Sequence, residues 1–214
     1  MKQTITTCPL CSNSECSIIS NINKNDYFDC QSCGLVFIDK EKLPSKKTET
    51  DEYLLHNNNY EDIGYQNHLK KLINPLIPYL NKSHQGLDFG CGHTPVLSMI
   101  MNDLGFSINN YDPFFFNDKV LIEKEYDFIT CSEVIEHFFN PLNDFKILNK
   151  ILKKGGVLAV MTKPFLDNIN FDSWYYVKEI SHVSFYRIKT LNWLALNFSW
   201  KLKFVNNDVI LFFK

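Results

Sequence analysis

Two Cys-x2-Cys pairs, Cys8/Cys11 and Cys30/Cys33, stand 18 residues apart (12–29) and restrict what the first 38 residues can become. Each CxxC turn presents two thiolates to one side, and two such turns complete a tetrahedron around zinc. Gly34, directly after Cys33, suits the tight turn in which backbone N–H groups approach the sulfurs. A four-thiolate site is closed, so the Zn2+ expected here is structural, and so short a segment with few apolar residues needs it to fold. The seven cysteines of the chain are an odd number without a signal peptide, which argues against a disulfide framework. Cys16 has no CxxC partner and reads as a bystander.

Beyond this unit (1–38), residues 39–52 are charged and without periodicity, and the linker is expected to span 39–58. From 59 to 214 the pattern alternates. Apolar spacing predicts helices at 68–80, 95–105, 141–156 and 189–198, with Pro75 and Pro78 breaking the later part of the first. Strands are expected at 86–90, 106–112, 126–132 and 157–162, and a hairpin around Asn206-Asn207 in 200–213. Strands alternating with helices predict an α/β fold with a doubly wound parallel sheet, to which the terminal hairpin adds one antiparallel strand.

The segment Leu87-Asp-Phe-Gly-Cys-Gly-His-Thr-Pro95 is a strand running into a glycine turn and a helix. Gly90 and Gly92 let the backbone turn sharply and approach a ligand, with Thr94 expected as the helix cap and Pro95 at its first position. Asp112 ends the next strand, where a carboxylate can accept both hydroxyls of a ribose. With YDFITCSEVIEHF (126–138) and KKGGVLAVMT (153–162), these residues resemble the class I methyltransferases that use S-adenosylmethionine (SAM). The family often has a third glycine, where this chain has His93-Thr94. An NAD-binding protein would carry G-x-G-x-x-G, but position 95 is proline. The resemblance implies a Rossmann-like sheet of seven mostly parallel strands. It also implies SAM contacts from Asp88, Gly90, Cys91, Gly92, Asp112, Cys131 and Ser132.

Glu133-x2-Glu136-His137 gathers two carboxylates and an imidazole at the expected cofactor edge. The motif resembles the E-x-x-E-H of ubiquinone-pathway O-methyltransferases and small-RNA 2′-O-methyltransferases, where it ligates a divalent cation. By that resemblance Glu133, Glu136, His137 and His182 are candidate ligands for Mg2+ or a similar ion. Without metal, His182 is the candidate general base, with Glu133 and His137 as further catalytic candidates. Trp174, Tyr175 and Tyr186 are candidate acceptor contacts.

The expected activity is transfer of the SAM methyl group to a small or medium-sized acceptor at a hydroxyl. The alternatives are an RNA methyltransferase that uses the zinc ribbon for binding, or a SAM-binding zinc protein without catalysis. A net charge of −2 does not advertise a nucleic-acid face, and Lys40, Lys42, Lys46 and Lys47 read as a solvated linker. A small-molecule acceptor is therefore favoured over nucleic acid. No stretch approaches the ~20 apolar residues of a membrane span, and a cytoplasmic location is the default expectation.

Overall fold

The computed structural model describes residues 6–55 and 58–214; the expected ribbon and linker also include 1–5, 56 and 57, which lie outside the described residues. Three strands, β1 (Cys16–Ile22), β2 (Asn25–Cys30) and β3 (Val36–Ile38), form an antiparallel meander after the first cysteine pair. The segment expected as an irregular linker holds a 3-10 turn at Lys40–Lys42 and helix α1 (Lys46–Tyr53). Ser45 caps α1 by accepting from Thr48 N at 3.1 Å, a local signal that outweighs the absent apolar periodicity. All four lysines of this stretch are exposed.

Helix α2 (Ile63–Leu76), capped by Asp62, passes through Pro75 and gives way to a 3-10 turn at Ile77–Tyr79 that contains Pro78. Then follow β4 (Gln85–Phe89), α3 (Val96–Asp103), β5 (Ser107–Tyr111), β6 (Tyr126–Ser132), α4 (Pro141–Ile151), β7 (Leu152–Met161), β8 (Ser184–Phe185), α5 (Ile188–Phe198), β9 (Lys201–Phe204) and β10 (Val209–Phe213). Asn140 caps α4 and Pro141 takes its first position. The helix stops at Ile151, five residues short of the expected end, because Leu152 turns extended and opens β7, within which Gly155 takes a φ of +80°.

The main sheet runs β5-β4-β6-β7-β10-β9, with β5, β4, β6 and β7 mutually parallel and β10 antiparallel to both neighbours. This is the expected mostly parallel sheet and hairpin, with six strands among the described residues rather than seven. The stretch 113–125 between β5 and β6 is too short for a crossover helix and another strand; among the described residues it holds a bridge, Asp112 to Phe116, and a 3-10 turn at Lys119–Glu123.

Alternate side chains of β7 feed the two faces. Val157, Ala159 and Met161 pack under α2 and α3, and Leu158 and Val160 under α4 and α5. The ribbon packs on the second face, where Leu10, Phe28 and Leu35 join the core of Tyr186, Leu191 and Leu194. Among the described residues no helix is long and apolar enough to cross a membrane.

Candidate active site and cysteine cluster

β4 runs into Gly90, whose φ of +78° and surroundings both demand glycine: a Cβ there would lie 2.7 Å from Val134. Gly90 N donates to Tyr111 O at 2.8 Å, which ties the turn to the end of β5. Gly92 (φ +69°) faces open space, where a Cβ would meet nothing nearer than Asn58 Nδ2 at 3.9 Å. Gly92 N donates to Asp112 Oδ2 at 3.0 Å, and the amides of Phe114 and Phe115 donate to Oδ1 at 2.8 and 3.1 Å. Three N–H groups thus fix the Asp112 carboxylate beside the glycine turn. Asp88 is buried, and Thr130 Oγ1 donates to it at 2.7 Å. Burial, helped by the charge of Asp112 and opposed by Thr130, pushes Asp88 up to about 7.

Thr94 is not the helix cap. Its hydroxyl pairs with His93 Nδ1 at 2.8 Å, and the chain enters α3 from Pro95, whose ψ of 62° is not yet helical. Cys91 and Ser132 line the same cavity as Gly90 and Gly92. Cys131 is fully buried in the core and does not line it, because alternate side chains of β6 point to opposite faces.

Glu133 follows β6 in the left-handed region at φ +52°, a conformation that costs about 1–2 kcal/mol for a non-glycine residue. A 3-10 turn at Ile135–His137 comes next. Glu133 lies 3.4 Å from His68 Nε2 and accepts from the Tyr176 hydroxyl at 3.0 Å. Glu136 is fully buried behind it, shares the Tyr176 hydroxyl with Glu133 and accepts from Thr162 Oγ1 at 3.0 Å. Burial and the nearby charge of Glu133 push Glu136 well above its ordinary value. Burial opposes ionisation of Glu133 too, but His68, Glu136 and Tyr176 outweigh it and hold that carboxyl low. The surroundings thus favour the charged form of Glu133 and the neutral form of Glu136.

His182 stands beside His137 with ring centroids 4.8 Å apart. His137 Nδ1 is 3.0 Å from Ser181 O, and His182 Nδ1 is 2.7 Å from Tyr176 O. Glu179 Oε2 lies 3.3 Å from His182 Nε2. The ligating atoms of Glu136, His137 and His182 fall within 4.8 Å of one another; Glu133 stands outside that group. Of the aromatic candidates, Tyr175 lines the cavity, Trp174 is buried in an aromatic cluster, and Tyr186 is a core residue whose hydroxyl donates to Ile135 O at 3.0 Å.

One cavity of about 560 Å³ joins the glycine turn to the two histidines. Its lining includes residues that the sequence did not single out: Glu49 and Tyr53 of α1, Tyr65 and His68 of α2, Phe114, Lys163 and Glu179. The Tyr53 ring packs against Phe114 at 5.3 Å and His137 at 5.4 Å. Lys163 is paired with Asp208 at 3.3 Å.

The four pair cysteines come together as the spacing predicts, all sulfurs within 4.8 Å of one another. Cys8 and Cys33 sulfurs are 3.6 Å apart, and those of Cys11 and Cys30 are 3.4 Å apart. These separations are far beyond a disulfide and close to the ~3.8 Å edge of a tetrahedron with 2.3 Å zinc–sulfur bonds. The two turns match: Ser12 N donates to Cys8 O and Gly34 N to Cys30 O, and both residues have positive φ (60° and 76°). Cys16 stands outside the group.

A family model described as a methyltransferase domain matches residues 62–202. No curated protein matches the chain. A SAM-dependent methyltransferase from Archaeoglobus fulgidus is 18% identical with a TM-score of 0.52, over 64% of this chain and 71% of that one. Haemonchus contortus phosphoethanolamine N-methyltransferase 2, solved with S-adenosyl-L-methionine, is 14% identical with a TM-score of 0.52, over 73% of this chain and 42% of that one. At these identities the likeness shows a shared fold. With a family match over most of its length, the chain belongs to the methyltransferase-domain family and shares its fold with those SAM-dependent enzymes.

Proposed function

We propose that the chain transfers the methyl group of SAM to a hydroxyl of a small or medium-sized acceptor. In this reading the cofactor lies along the glycine turn and the acceptor against His137 and His182. The single observation that carries it is the one cavity shared by both sets of residues, of a size suited to a cofactor and a small ligand. Bound SAM supplies an electrophilic methyl group on a sulfonium. The open side of Gly92 leaves room for a ligand against the backbone, and Asp112 is held where ribose hydroxyls can donate to it. Gly90, Cys91, Ser132 and Asp88 complete that end.

The histidines supply the proton chemistry. Each Nδ1 faces a backbone carbonyl and donates its hydrogen there, so in the neutral ring the lone pair sits on Nε2. His182 Nε2 takes the acceptor's hydroxyl proton, and Glu179 beside it stabilises the resulting imidazolium. Glu133 and Glu136 hold the Tyr176 hydroxyl, and Tyr176 O in turn orients His182. His182→Ala should lower S-adenosylhomocysteine formation by about 10²–10⁴-fold with SAM affinity unchanged. Unchanged turnover would remove His182 from this role.

The proximity of Glu136, His137 and His182 supports a second reading, in which they hold Mg2+ or a similar ion that lowers the acceptor's pKa. It requires Glu136, whose neutral form burial favours, to bind as a carboxylate and to release both hydroxyl partners. Turnover that rises with added Mg2+ and falls on its removal, with the ribbon zinc retained, distinguishes this reading. The four-cysteine cluster fits one zinc, held by Cys8, Cys11, Cys30 and Cys33 as a structural ion.

A further inference from the structure

Resting on that reading of the cavity, we infer that the cysteine ribbon is a working part of the acceptor site: its strand β3 positions the His182 segment, so zinc in the ribbon governs the acceptor half of the cavity and not the cofactor half. The strand that follows His182 does not join the main sheet. β8 pairs with β3 instead, Val36 opposite Phe185 and Phe37 opposite Ser184. One step earlier, Ile38 N donates to Val183 O at 3.1 Å, and Val183 N donates to Glu136 O at 2.9 Å. Backbone hydrogen bonds thus run from the ribbon through Val183 to Glu136. His182 and His137 are the adjoining residues in the chain.

The path back to the metal site is short. Only Gly34 and Leu35 separate Cys33 from β3, and Cys30 N donates to Leu35 O at 2.9 Å. The register of β3 is therefore set by the same turn that presents two of the four sulfurs. Side chains reinforce the backbone. Tyr27, Val36 and Ile38 of the ribbon form one buried cluster with Tyr176, Val183 and Phe185. The Tyr176 ring lies tilted against His182 with centroids 4.1 Å apart, and its hydroxyl sits between the carboxyls of Glu133 and Glu136. A second clamp lies on the far side of β8, where Arg187 pairs with Asp29 at 3.0 Å and Lys189 donates to Gln31 O at 2.6 Å.

The cofactor half is built differently. Gly90, Gly92 and Asp112 take their hydrogen bonds from one another and from Tyr111, Phe114 and Phe115, all on the β4–β5 side of the main sheet. The cluster under α2 and α3 contains no residue of 6–38; on the other face the ribbon shares a core with Leu87, Phe89 and Tyr111 of β4 and β5 but gives the glycine turn no hydrogen bond among those named. Zinc-dependent folding energy in a small module is spent on the local segment that the module holds. Val36, Phe37 and Ile38 are accordingly positioning residues for the histidine pair.

The test compares three samples: zinc-loaded protein, protein stripped by a chelator, and zinc-loaded Ile38→Pro, which lacks the N–H that reaches Val183. Each is read by calorimetry with SAM and by NMR of isotopically labelled histidine rings. Stripping should leave SAM affinity within about threefold, a change under 1 kcal/mol. It should move the His137 and His182 ring signals away from their loaded positions, and Ile38→Pro should do the same with its zinc retained. Histidine signals that stay in place on stripping, or SAM binding lost together with zinc, would overturn the inference. If the stripped chain unfolds altogether, Ile38→Pro decides: displaced histidine signals with SAM binding intact uphold the inference, and unchanged signals overturn it. Failure of the loaded protein to bind SAM would instead overturn the methyltransferase reading beneath it.

Discussion

Asp88 makes the stability of the SAM-free protein depend on pH in a calculable way. Its carboxyl, 3% exposed, accepts one hydroxyl at 2.7 Å and is pushed from 3.8 to about 7, by burial first and then by the charge of Asp112. The folded chain therefore holds a proton between about pH 4 and pH 7 that the unfolded chain has released. A raised carboxyl contributes stability that is present below the unfolded value and is lost as pH rises through the folded one. About three pH units at 1.36 kcal/mol each give about 4 kcal/mol as the upper size of the effect. Asp88→Asn keeps the oxygen that Thr130 bonds and is neutral at every pH. Urea unfolding of both proteins at several pH values isolates this group, because raised carboxyls elsewhere, such as Glu136, cancel in the difference. The variant should match the wild type near pH 4 and exceed it by about 2–4 kcal/mol at pH 8. A difference that stays flat from pH 4 to pH 8 would show that Asp88 does not carry a raised pKa in the folded chain.

Two further outcomes are expected. Asp112→Ala should abolish SAM binding measured by calorimetry, since it removes the carboxylate that three amides hold beside the glycine turn; unchanged affinity would remove Asp112 from the ribose role. Elemental analysis should find about one zinc per chain, lost in Cys30→Ser with a large drop in melting temperature, because breaking a structural site removes its binding energy from folding; a folded wild type without zinc would contradict the tetrahedral reading.

Much of the site was legible because its features are local. Gly90 and Gly92 occupy left-handed backbone that only glycine adopts cheaply, and Asp112 and Ser132 sit at the ends of two short strands. The cysteine cluster followed from spacing alone. What stayed hidden depends on long-range packing. α1 is polar nearly all round and buries chiefly Glu49, so no periodicity announced that Glu49 and Tyr53 line the cavity. The pairing of two-residue β8 with β3, 147 positions earlier at Phe37 and Ser184, leaves no pattern in either segment. The lysines after Ile151 extend an amphipathic pattern that the glycines then end, so the helix was drawn too long. The seventh strand was an expectation carried by family likeness, and the 113–125 stretch has no room for it.

The central claim, that this cavity transfers a methyl group, is tested most directly by incubating the zinc-loaded protein with methyl-labelled SAM and fractionated extract of its own source. Label is expected in a low-molecular-weight product, with an equal amount of S-adenosylhomocysteine and loss of both in His182→Ala. Label that appears only in RNA would contradict the small-molecule assignment. Bound SAM that yields no S-adenosylhomocysteine with any fraction would contradict the claim of catalysis itself.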